Sequence, residues 1–231
     1  MNQASRQRAA ASEIARLRGD VETFAAFLGQ PAERFLNPGF ISYATGISPE
    51  RVVELLEGAL PEVEPDTKDA LEAFQRGLFQ QRLRFLWQTR LKEGGRSEKP
   101  EPYKLRDIGA GTDISFQQVA MLLKGERAPN AAHAARLERF FDEASRRRTP
   151  KSRVPQGFCL RNEGAALIAY LTEMATADLP RLALASLATD LDTTSVSLRA
   201  TTDAGDVDLV KLLPVLAQLR ARARERDDRG D

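Results

Sequence analysis

Between Leu105 and Phe141 the chain reads LRDIGAGTDISFQQVAMLLKGERAPNAAHAARLERFF, and its periodicity leaves few folds open. Leu105 and Ile108 set an apolar stripe at helical spacing, and Gly109 beside them lets a neighbouring element come close. Thr112-Asp113-Ile114-Ser115 interrupts that pattern. Ile114 is the apolar plug of a turn, and the Ser115 hydroxyl is suited to accept an unpaired backbone N–H at the start of a second helix. Val119, Leu122 and Leu123 recur at i, i+3 and i+4 and define that helix's buried face. Phe116, Gln117, Ala120, Met121 and Lys124 fall largely on the opposite face. Gly125 is expected to close the helix in the left-handed conformation, followed by a turn over Glu126-Arg127-Ala128-Pro129-Asn130. Leu137, Phe140 and Phe141 then close a core with a third helix.

A helix wedged outward by a sharp turn, with amide side chains on its exposed face, suits the DNA major groove. That groove is about 12 Å wide and admits one helix, and glutamine there can pair with adenine N6 and N7. The stretch resembles the helix-turn-helix of the phage-repressor (XRE, Cro/cI) superfamily. The resemblance rests on Leu105, Ile108-Gly109, Thr112-Asp113-Ile114-Ser115, Val119, Leu122, Gly125 and Pro129 at their spacings. Asp113 stands in place of the usual turn glycine, and Leu123 in place of a residue commonly polar in that family. An ordinary three-helix core segment is the alternative. On the first reading Ser115 approaches phosphate, Gln117 reads a base with Gln118 beside it, and Phe116 and Met121 meet thymine methyls. Lys104, Lys124 and Arg127 would contact phosphates, which position a protein without reading sequence. Arg106 and Asn130 complete the expected set.

The charge distribution points the same way. Residues 76–153 carry 18 Lys+Arg against 9 Asp+Glu, whereas residues 1–75 carry 7 against 12 and residues 154–231 carry 9 against 12. A basic middle segment attracts phosphates and releases their counterions. Catalysis has no visible apparatus: we find no Gly-rich phosphate loop, no Cys/His metal spacing and no nucleophile with a histidine nearby. Neither catalytic residues, a metal nor a cofactor is therefore expected. Acidic side chains sit at helical spacing on what read as surface faces. The single Cys159 reads as a small buried apolar residue and fits a reducing cytosol, and the lone His133 as a helix-surface residue. No leader or membrane-spanning run is evident, so a cytoplasmic, nucleoid-associated protein is expected.

Residues 40–58, FISYATGISPERVVELLEG, repeat the central pattern. Thr45-Gly46-Ile47-Ser48 matches Thr112-Asp113-Ile114-Ser115, and Val52, Leu55, Leu56 and Gly58 match Val119, Leu122, Leu123 and Gly125 at a constant offset of 67. Glu50, Glu54, Glu57, Glu62 and Glu64 crowd the face and exit loop that would meet phosphate, so this copy reads as a degenerate module for packing or partner contact. Coincidental similarity of two helical segments is the other possibility. Residues 1–11 read as a frayed tail, and Ile14 to Leu28 as a short helix ending near Gly29. Lys68 to Leu91 reads as one long helix, or two joined near Gly77, with Leu78, Phe79, Leu83, Leu86, Trp87 and Leu91 inward and Arg82, Arg84, Arg90 and Lys92 on a wet face.

Residues 76–145 are further similar to a subset of actinobacterial XRE regulators, typified by the mycobacterial regulator of ESX-type secretion. Phe79, Arg82-Leu83 and Leu86, the Gly/Pro basic loop before Tyr103, and Leu137, Phe140-Phe141 carry the likeness. It implies a helical C-terminal dimerisation region. After a linker at Ser145–Pro155, whose Arg146, Arg147 and Arg148 either touch DNA backbone or are simply solvated, helices are expected at Phe158–Met174 and Leu179–Leu191, with a short one at Thr193–Leu198. Leu184, Leu187, Ala188, Thr194 and Leu198 fit the slots of an eroded third copy. A last helix, Asp208–Arg226, is kinked at Pro214.

The expectation is thus an all-α chain. Residues 1–75 form a diverged helix-turn-helix-like module, 76–148 a lambda-repressor-like DNA-binding domain, and 156–231 a helical dimerisation region. Its partners would be double-stranded DNA and a second copy, with RNA polymerase or another regulator as a further one and no membrane. The competing expectation is an adaptor whose degenerate modules bind RNA polymerase or another regulator.

Overall fold

The computed structural model describes residues 2–92, 100–146, 154–190 and 217–218. Among them every regular element is helical, apart from an isolated antiparallel bridge between Lys92 and Glu101. No helix among them is long and apolar enough to cross a membrane. The helices are α1 (Gln3–Phe27), α2 (Pro38–Thr45), α3 (Pro49–Leu56), α4 (Lys68–Thr89), α5 (Leu105–Thr112), α6 (Phe116–Lys124), α7 (Ala131–Arg146), α8 (Glu163–Glu173) and α9 (Leu179–Asp190). A π-helical turn, Met174–Asp178, joins the last two. The loop side chains around Arg96, the Arg147-Arg148 run, the helix expected at Thr193–Leu198 and most of the expected terminal helix lie outside the described residues.

Two compact units divide the chain. The first comprises residues 1–12 and 38–167, the second residues 13–37 and 168–231, with the division falling inside α1 and α8. These units cut across the three segments read from sequence. In the second unit Ile14, Leu17, Val21 and Phe24 of α1 are buried, as are Leu171, Met174, Leu179, Ala183 and Leu187.

The amino-terminal residues are helical rather than frayed. Asn2 Oδ1 accepts the Ser5 N–H, the Arg6 guanidinium donates to Glu64 O and pairs with Asp66, and Arg16 pairs with Glu13 and Asp20 along the helix. Alanine-rich sequence with such i, i+3 and i, i+4 pairs favours helix over coil.

The first unit is built on α4, which runs without a break at Gly77. Phe79, Leu83 and Leu86 join Ile108 of α5, Val119, Leu122 and Leu123 of α6, and Ala134, Leu137 and Phe141 of α7 in one core. Tyr103, Phe140 and Phe141 meet edge to face at its rim, and Trp87 Nε1 donates to Tyr103 O at 2.7 Å. Helical spacing placed these apolar residues correctly.

Arg82 of α4 and Arg90 just past its end do not lie on a wet face. Arg82 and Arg90 are each only 2% exposed. Arg82 donates to Thr45 O, and Arg90 donates to Tyr43 O at 2.8 Å while its guanidinium lies 3.4 Å above the Tyr43 ring centre. Both carbonyls belong to the last turn of α2, where backbone oxygens lack helical partners and the dipole favours a cation. Burial pulls both guanidinium groups down to about 10, which leaves them charged at neutral pH. On another side of the same helix, Arg84 Nε and Gln80 Nε2 donate to Leu123 O, at 2.8 and 3.3 Å, in the last turn of α6. A single helix therefore grips the carboxyl ends of two others.

Glu138 corrects the expectation that the acidic residues are superficial, being 6% exposed. Its carboxylate accepts the Gly157 and Cys159 N–H groups at 2.9 and 2.8 Å, anchoring the turn that precedes α8. That turn, with Gly157 at φ +76°, delays α8 to Glu163, where Asn162 caps it, so Phe158 and Leu160 are not helical. Cys159 is fully buried as expected, and burial raises its thiol well above the ordinary range.

Candidate nucleic-acid interface

The corner between α5 and α6 is made by four adjacent residues with separate tasks. Thr112 Oγ1 donates to Ile108 O at 2.7 Å and ends α5. Asp113 takes the left-handed conformation, φ 54° and ψ 40°. Ile114 is 3% exposed and plugs the corner. Ser115 Oγ accepts the Gln118 N–H at 3.2 Å and starts α6. Gly109 is required here: a Cβ on it would stand 2.8 Å from Ile114 O and 3.2 Å from Phe116 N.

Asp113 is the described non-glycine residue with positive φ, and its backbone oxygen accepts from Arg136 at 3.2 Å. A Cβ strains the left-handed conformation, though Asp tolerates it better than most residues because its short polar side chain bonds locally. Asp113→Gly keeps the carbonyl that Arg136 uses and loses a 3.5 Å surface pair with it, so we expect a stabilisation of no more than about 0.5 kcal/mol. Chemical denaturation at constant m checks this, and a loss of stability would show that the Asp113 side chain matters more than its backbone.

The corner between α2 and α3 has the same construction. Thr45 Oγ1 donates to Ile41 O at 2.7 Å, Gly46 has φ +71°, Ile47 is 4% exposed, and Ser48 Oγ accepts the Arg51 N–H at 3.2 Å. A Cβ on Gly46 would meet the tips of the Arg82 and Phe158 side chains at 2.6 and 2.7 Å, so a side chain at the position where Asp113 carries one would displace them.

The exposed faces of the two second helices differ. Gln117, Phe116, Met121 and Lys124 are exposed on α6, opposite buried Val119, Leu122 and Leu123, with Phe116 and Met121 at 44% and 39%. Leu123, the apolar departure in this helix, belongs to the core. Gln118 is half-buried. Lys104, Arg106, Arg127 and Asn130 are exposed around α6, although Asn130 Oδ1 is engaged in capping α7 through the His133 N–H at 2.7 Å. Lys124 Nζ lies 3.9 Å from Glu126, a loose surface pair. The Arg106 guanidinium lies 5.7 Å from the Phe116 ring centre, and the two border a shallow recess with Gly109, Ala110, Asp113, Ile114 and Ser115. His133 is held below the usual imidazole range, first by partial burial and then by Arg127 and Arg136.

On α3 the positions 67 residues before Gln117, Met121 and Lys124 are Glu50, Glu54 and Glu57, all exposed. Its one base, Arg51, is held internally. It meets Glu163 at 2.6 Å, Glu54 at 2.7 Å and Leu60 O at 2.8 Å, and Glu163 in turn accepts the Glu62 N–H at 2.6 Å.

Side chains that brace α6 and its corner through backbone oxygens were not legible beforehand. Gln80, Arg84 and Arg136 all act on backbone oxygens of distant residues, which leaves no local spacing to detect. Among the described residues no group of three or more His, Cys, Asp or Glu could hold a metal ion. Compared with protein-family models, curated proteins and solved structures, the chain matches none.

Proposed function

We propose that α5, its corner and α6 form a helix-turn-helix of the phage-repressor type, and that the chain is a sequence-specific, DNA-binding transcriptional regulator. The observation that carries this reading is the outward face of α6: Gln117 and Lys124 are exposed while Val119 and Leu122 are fully buried behind them. A capped helix start at Ser115 and the cations Lys104, Lys124 and Arg127 surround that face. Gln117 pairs with a base, and the cations contact phosphates. One such helix reads few bases, so the regulator works as a dimer joined mainly through residues 156–226, on half-sites about one helical turn apart or a multiple. A chain that sediments as a monomer at high micromolar concentration removes the dimer.

Retention on duplex DNA is expected to fall steeply between about 50 and 200 mM salt, because phosphate contacts release counterions. Gln117→Ala should relax base preference at one position, at a cost of about 1–3 kcal/mol in discrimination, with the salt slope unchanged. Selection of preferred sites by the wild type and the variant measures both. An identical preferred site would remove Gln117 as the reader.

The α2–α3 corner is then a diverged second copy, and a second reading attaches to it. Glu50, Glu54 and Glu57 occupy the slots of Gln117, Met121 and Lys124, and Arg51 is committed to Glu163. Carboxylates on that face repel phosphate, so this copy contacts a protein, such as RNA polymerase or another regulator. Weak DNA binding with no salt slope would make such contact the main role of the whole chain.

A further inference from the structure

We propose that Arg106 and Phe116 act as one reader of a pyrimidine–guanine step that carries a 5-methyl group on the pyrimidine. This deepens the DNA-reading role of α6 and rests on it.

Phe116 is the first residue of α6, is 44% exposed, and stands next to Gln117 on the same outward surface. A half-exposed phenylalanine at a helix start contributes less to the fold than a buried one, so its apolar edge is available to a ligand. Major-groove edges offer one apolar group, the C5-methyl of thymine, and 5-methylcytosine presents the same group at the same ring position. Arg106 comes from the preceding helix, ten residues earlier, yet its guanidinium lies 5.7 Å from the Phe116 ring centre, within cation–π range. Arginine in the major groove pairs bidentately with guanine O6 and N7. A guanidinium held beside an aromatic ring thus offers a guanine clamp and a methyl-sized apolar contact side by side. The recess bordered by Arg106, Gly109, Ala110, Ile114 and Phe116 provides room for the methyl group. Gly109 lies in that floor, and a side chain there would collide with Ile114 O and crowd the Phe116 backbone.

The inference predicts a TG step at a fixed place in the preferred site, interchangeable with methylated CG but not with UG or unmethylated CG. The experiment uses the full chain and the duplex it selects from a random pool, with thymine replaced by uracil one position at a time. One such replacement should weaken wild-type binding about three- to fivefold, the scale of one apolar group removed from water. Cytosine at that position should bind like uracil, and 5-methylcytosine should restore the thymine affinity. Phe116→Ala should erase the thymine–uracil difference, Phe116→Leu should keep it, and Arg106→Ala should lose preference for the adjacent guanine by about tenfold or more. Equal binding of uracil and thymine at every position, or a difference that survives Phe116→Ala, overturns the methyl contact. Arg106→Ala weakening all sequences alike overturns the guanine contact. In those cases a steep salt slope still upholds DNA binding, whereas its absence brings down the function itself.

Discussion

Replacing Lys124 and Arg127 together by glutamate is expected to lower affinity for duplex DNA by roughly 100-fold or more at about 100 mM salt, for preferred and random sequences alike. Both side chains are exposed beside the outward face of α6, and Lys124 is 66% exposed with only a 3.9 Å surface pair to Glu126. The fold therefore loses little, and thermal unfolding should be nearly unchanged. In the proposed DNA-reading role each cation would neutralise a phosphate and release a counterion, so the salt slope should also flatten by about two units. Glutamate at position 124 recreates the end of α3, where Glu57 occupies the slot of Lys124. The lone His133 reports on the same place. Arg127 and Arg136 help to hold its imidazole below the ordinary range. Phosphate docked on Arg127 should offset that field and raise the imidazole pKa, as followed by NMR titration with and without DNA. Unaltered DNA affinity in the double variant, together with an unmoved His133 titration, would sink the assignment of this face.

Arg82→Ala is the other large effect, on stability: we expect a loss of about 3 kcal/mol. The guanidinium is 2% exposed, donates to Thr45 O and lies 5.6 Å from the Phe158 ring centre. A hydrogen bond from a charged donor contributes about 1.5–3 kcal/mol. Truncation also leaves a cavity beneath Gly46 and Phe158, which adds to the cost. Arg82→Met tests which part dominates. It fills much of the space with an apolar chain, and a buried charge carries a desolvation cost that the variant escapes. Methionine should therefore lose less than alanine, by at least about 1 kcal/mol. Denaturant unfolding of both variants decides the point, and an Arg82→Ala protein as stable as the parent would mean that this arginine does not hold the α2–α3 corner.

Both expectations turn on residues whose sequence setting looked alike. Lys124 and Arg82 are each a basic residue beside an apolar helical stripe. Periodicity identifies the stripe but cannot say whether a long cationic neighbour reaches out to solvent or across to another helix. Arg82 and Arg90 reach the carbonyls of Thr45 and Tyr43 respectively, 37 and 47 residues earlier in the chain. The same holds for Glu138, whose partners are backbone N–H groups beyond the basic linker. The turn at Pro155–Leu160 was likewise hidden, because Phe158 and Leu160 fit a helical pattern until Gly157 and the Glu138 carboxylate divert the backbone.

Local chemistry was enough for the all-helical character, for the two corners with their Ser48 and Ser115 caps, and for the buried apolar faces of α4 and α6. Those features depend on backbone preferences and on a repeat of 3.6 residues, which act over a turn or two of chain. Tertiary structure alone decided which charged side chains turn inward. It drew Arg82, Arg90, Arg51, Glu138 and Glu163 into internal partnerships. A long polar side chain settles on whichever unsatisfied backbone or opposite charge comes within reach, and that neighbour is set by packing between segments far apart in sequence.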